Sequence, residues 1–174
     1  MNDNDDFADV LRAIPLYRPA EESRRGRISS TTVHPGEVLP AKVVVDFGST
    51  PEGPDQGPDL EIATRSWEHL REPGEREIRG FCGERDLMER RMRDPLSAHS
   101  FALPEDARWS TQTIDIDGAP HTFTVLATSR SWVAAALLPG PFLVRIYTPA
   151  PGPAPGALRR ITSVGELEPV RGRG

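Results

Sequence analysis

Cys82 is the single thiol of the chain, and paired with His99 or His121 it could serve as a nucleophile with its base. Thiolate chemistry needs an electropositive, partly exposed setting, and Arg79 and Arg85 do flank Cys82 in sequence. No nucleophile motif surrounds it, however, and Phe81 beside it favours a small buried hydrophobe instead. The four histidines, His34, His69, His99 and His121, show no metal-ligand spacing, and one cysteine cannot build a cysteine-rich zinc site. Neither a metal nor a cofactor is expected.

Asp115-Ile116-Asp117-Gly118 suggests calcium at first sight. An EF-hand loop needs a ligand where Thr113 stands and a glutamate where Thr124 stands. A two-residue type I′ turn accounts for Asp117-Gly118 without any ion. Phosphate loops and the serine-hydrolase elbow are absent, and the one lysine, Lys42, falls inside a strand pattern. Arg24-Arg25-Gly26-Arg27 and Arg159-Arg160 could touch phosphates, but neither run is interleaved with aromatics. They read as solvated loops, and a net charge of −5 with a pI near 5.4 argues against nucleic acid.

That charge is unevenly spread. Residues 1–60 hold 11 acids and 6 bases, 61–109 hold 11 and 9, and 110–174 hold 4 and 6, so acidity is concentrated in the first third. Arginine outnumbers lysine 20 to 1, as in a GC-rich bacterial coding sequence. The acidic start resembles no signal peptide, and the longest apolar run, Trp132 to Leu138, is strand-sized. A cytoplasmic protein without a membrane segment is the expectation.

The elements that must position these residues can be read from periodicity. Phe7, Val10, Leu11 and Ile14 mark one face of a short helix that stops at Pro15. Lys42 to Phe47 and Leu60 to Arg65 are strands of a hairpin with a long tip. Residues 66–94 predict two short helical pieces, the second over 84–93, broken upstream by Pro73-Gly74 and Gly80. After Trp109 the pattern becomes a four-strand meander, followed by a last strand near 158–164. Across the Asp117-Gly118 turn, the pairing predicts Ile114 opposite His121 and Gln112 opposite Phe123.

The predicted fold is α+β and a single domain over 1–174. An antiparallel β-meander covers about 109–164, with an added N-terminal hairpin and two or three short helices packed on one face. Flexible loops are expected near 18–36, 48–59 and 148–157, with a frayed C-terminal tail. Two functions follow by elimination. The first is a non-catalytic protein-interaction module, adaptor- or immunity-like, of a bacterial cytoplasm, binding a protein partner or forming a homo-oligomer. Trp132, Phe142 and Tyr147 are its candidate anchors, since aromatics dominate interface energetics. The alternative is a small enzyme with a dispersed Cys/His/Arg site between the sheet and residues 66–104.

Overall fold

The structure is a computed structural model and describes residues 3–33, 40–48, 59–66, 74–93, 103–149 and 154–169. Two α-helices, α1 (Asp3–Ala13) and α2 (Glu75–Arg93), accompany nine strands. The strands are β1 (Tyr17–Pro19), β2 (Arg27–Val33), β3 (Pro40–Phe47), β4 (Leu60–Ser66), β5 (Arg108–Ile116), β6 (Ala119–Ala127), β7 (Ser131–Leu138), β8 (Phe142–Pro149) and β9 (Ala157–Arg160). They form one mixed sheet in the order β1-β9-β5-β6-β7-β8-β4-β3-β2.

The β5–β6 hairpin follows from its turn. Asp117 and Gly118 both have positive φ, as a type I′ turn demands. That turn sets Ile114 against His121 and Gln112 against Phe123, the register predicted from the sequence. Alternation then places Ile114, Ile116, Phe123 and Val125 on one face, all of them buried. Strand β7 lies mid-sheet and is apolar on both sides, with Ala134 and Ala136 facing one core and Val133 and Ala135 the other.

The sheet curls. Its concave face holds the larger core, including Ile14, Leu16, Val43, Phe47, Ile62, Phe123, Ile146 and Leu158. Each such side chain contributes about 2 kcal/mol on burial. The convex face carries a second core of Val44, Ala63, Leu126, Val133, Leu143 and Tyr147, closed by Phe81 and Cys82 of α2. After β9 the chain passes a 3-10 turn at Val164–Glu166 and meets the residue just before β2. There the Gly26 amide donates to Glu166 O at 2.9 Å, and the Glu168 amide donates to Gly26 O at 2.7 Å. These two bonds join the chain beyond one sheet edge to the chain entering the other. Gly26 must be glycine, because a Cβ would sit 2.6 Å from Val45 Cγ1.

Several expectations are corrected. Residues 27–33, read as loop, form β2, whose side chains are polar because most of the strand is exposed. Helix α2 is one helix from Glu75, with Gly80 and Gly83 inside it, instead of two pieces. The helices do not share a face. Val10 and Leu11 of α1 pack against the concave core, whereas α2 lies on the convex side. The last strand does not extend the meander; β9 pairs parallel with β5 at Asp115 and Ile116 and antiparallel with β1. Among the described residues no helix is long and apolar enough to cross a membrane.

Candidate functional site

The sequence candidates that fall within the described residues lie apart from one another. Cys82 is fully buried on the convex side and its thiol lies 3.6 Å from Thr124 O. Burial pushes that thiol up to about 12, only partly offset by Arg145 and Arg79, so it stays protonated and a poor nucleophile. His121 stands opposite Ile114, which places it on the concave face, across the sheet from Cys82. His34, His69 and His99 lie outside the described residues. Among those described, no three His, Cys, Asp or Glu side chains gather as metal ligands.

The three aromatic anchors also divide. Trp132 and Phe142 are half-buried against the concave core, at opposite ends of the β7–β8 pair. Tyr147 is buried on the convex face, with the Arg85 guanidinium 3.7 Å from its ring centroid. No single patch contains all three.

What the convex face does bring together is a cluster of charges beneath α2. Lys42 on β3, Arg65 on β4 and Arg145 on β8 alternate onto that face with Val44, Ala63 and Leu143. Helix α2 supplies Glu84, one turn beyond Phe81, so the aromatic that docks the helix also aims its carboxylate. Glu84 Oε1 accepts from Arg65 at 2.6 Å and from Lys42 at 3.4 Å, while Oε2 accepts from Arg145 at 3.1 Å. Glu61, also buried, accepts from Arg145 at 2.8 Å and from Arg85. Phe81 lies between two guanidiniums, with Arg65 at 4.8 Å and Arg145 at 4.7 Å from its ring.

The electrostatics follow from this crowding. Burial alone would raise the Glu84 carboxyl, but Arg65, Lys42 and Arg145 together hold it below its ordinary value. Burial lowers Lys42 instead; Glu84 opposes that shift, and Arg145 and Arg65 reinforce it. Sequence reasoning missed this cluster. Its signal was present in the strand alternation, which puts Lys42, Arg65 and Arg145 on the face opposite the larger core.

Two further surfaces lie apart from this cluster. A cleft of about 990 Å³ lies where the end of β1 and the start of β9 face the start of β4 and the end of β8. Within its charged lining Arg24 bonds Glu22 at 2.7 Å and Asp59 at 3.1 Å. The second surface is β2. Among the described residues it pairs with β3 alone, and Ser29, Ser30, Thr31, Thr32 and Val33 are all exposed.

No protein-family model matches this sequence, and no curated protein matches it closely enough to indicate a relative.

Proposed function

We propose that this chain is a non-catalytic protein-interaction module that pairs an extended segment of a partner with the outer edge of β2. The observation that carries this reading is the edge itself. From Arg27 to Val33 its outer side has no strand partner among the described residues, and five consecutive side chains on it are exposed. Edge strands that are not meant to pair are often blunted by charge, proline or bulges. Here Ser29 to Val33 carry no charge or proline, although the strand has two register shifts. The one charge, Arg27, is committed to Asp46 at 3.4 Å.

Backbone hydrogen bonds to such an edge supply affinity, at about 1 kcal/mol net each, and alternate side chains supply selectivity. Register shifts at Ser29 and just before Val33 add local twist, which selects a partner strand of matching twist. Trp132 and Phe142 lie on β7 and β8, separated from β2 by β4 and β3, so they are not part of this edge.

The test is native mass by light scattering, followed by affinity capture with the unmodified protein and with Ser30→Lys/Thr32→Lys. Both positions are exposed, so the double variant is expected to fold normally. Association lost in the variant and kept in the original supports the β2 edge. A dimer abolished by the same lysines would identify the partner strand as a second copy. A monomer that captures nothing, or association indifferent to the lysines, overturns the reading.

A further inference from the structure

Lys42 is the one lysine in the chain, and its side chain is only 13% exposed. Its Nζ lies 3.4 Å from Glu84 Oε1. Arg65, its direct partner across the β3–β4 register, takes the same oxygen at 2.6 Å. Arg145 takes the other oxygen at 3.1 Å. Three cations therefore share one carboxylate, and the lysine is the most distant of them. The neighbouring carboxylate, Glu61, is already engaged by Arg145 and Arg85.

A guanidinium keeps its proton under all ordinary conditions, whereas an ammonium can lose one. Lys42 is thus the member of the cluster that sheds charge most readily, and burial with Arg145 and Arg65 moves it in that direction. A desolvated amine beside other cations is the arrangement that activates lysine toward carbonyl compounds. Glu84 and Arg65 retain 25% and 30% side-chain exposure, so the cluster is not sealed from solvent.

We propose that Lys42 is a nucleophilic amine that forms a Schiff base with a small 2-oxo acid, with Glu84 moving protons and Arg65 receiving the acid's carboxylate. This does not depend on the β2 edge, and it departs from the non-catalytic part of that reading by giving the chain a reactive amine. The neutral amine's lone pair attacks the keto carbon as the C=O π pair moves onto oxygen. One nitrogen proton then passes through Glu84 to that oxygen, giving a carbinolamine. The second N–H proton leaves by the same carboxylate, the hydroxyl departs as water, and the C=N bond forms. Amine plus ketone thus yields imine plus one water, with no oxidant or reductant consumed.

Because Lys42 competes only with the chain's α-amino group, reductive trapping reads it directly. The intact protein would be incubated with pyruvate and cyanoborohydride near neutral pH, then weighed and peptide-mapped. The expected result is one carboxyethyl group on Lys42, formed severalfold faster than on an Nα-acetyl-lysine standard. Lys42→Arg should abolish that label and leave the one on Met1. Labelling confined to Met1, or no faster at Lys42 than on the standard, overturns the proposal. Acetone, normalised to the same standard, should show a smaller preference for Lys42 than pyruvate does; an equal preference would remove Arg65 from carboxylate recognition. Glu84→Gln should slow the labelling even though losing the carboxylate favours the neutral amine. Faster labelling in that variant would remove the proton-transfer role.

Discussion

Lys42 and Arg65 stand directly opposite each other on β3 and β4, two like charges in register on one sheet face. Such a pair is repulsive on its own. It is tolerated because Glu84 of α2 lies against both, 3.4 Å from Lys42 and 2.6 Å from Arg65, with Arg145 on its second oxygen. The carboxylate is therefore as much a part of helix docking as Phe81 and Cys82. Several outcomes depend on that relationship and on the closure of the sheet.

Glu84→Gln keeps the shape of the side chain but removes its charge, leaving three cations without their shared anion. A loss of about 2–4 kcal/mol in folding stability is expected, since breaking one side of a partly buried ion cluster strands the other. Urea denaturation of the two proteins at neutral pH measures it.

The same carboxylate gives a pH signature. Its folded pKa lies below the ordinary 4.5, so the ionised form is favoured by folding. Its contribution is complete above pH 4.5 and is lost as pH falls through the lower folded value. The difference in stability between the original protein and Glu84→Gln should therefore shrink on acidification below pH 4.5. Paired denaturation curves over that range would show a constant difference if the cluster did not favour the charged form.

Gly26→Ala tests the closure. The new methyl would lie 2.6 Å from Val45 Cγ1 and 3.0 Å from the Phe47 ring, at the point where Gly26 bonds Glu166 and Glu168. Overpacking at such a contact costs about 1–3 kcal/mol. Thermal melts should show a lower midpoint, with hydrogen exchange accelerated at Gly26 and Glu168 before the β5–β6 hairpin is affected.

Arg18→Met tests how the neighbouring loop is held. Arg18 is buried, and its guanidinium donates to Arg24 O at 3.0 Å, to Glu22 O and to Glu166 at 3.3 Å. Methionine preserves much of the volume but leaves those acceptors unmatched, which costs about 2–4 kcal/mol. Limited proteolysis should then cut near residues 20–26 while the sheet core resists.

Cys82 should be silent toward thiol reagents in the folded protein. Its thiol is fully buried and raised to about 12, so both access and thiolate are lacking. Ellman's reagent should titrate one thiol per chain only after denaturation. Fast reaction of the native protein would contradict the placement of α2 over β6.

Much of the centre of the sheet was determined by the sequence alone, because its information is local. Asp117-Gly118 admits positive φ at both positions, which dictates a two-residue turn, and alternation then leaves a single register that buries Ile114, Ile116, Phe123 and Val125. The apolar run of β7 announced a strand buried on both faces. By contrast, β2 carries an exposed polar pattern that resembles a loop, and only its pairing with β3 makes it a strand. The partition of α1 and α2 between the two faces, the Gly26 closure and the Glu84 cluster were decided by tertiary structure. Each depends on contacts between residues far apart in sequence, such as Glu61 with Arg145 or Gly26 with Leu167, and local propensity carries no information about those pairings. Lys42 shows the division most clearly. Strand alternation assigns it to a face, but only the curl of the sheet and the docking of α2 bring two guanidiniums and a carboxylate around its amine.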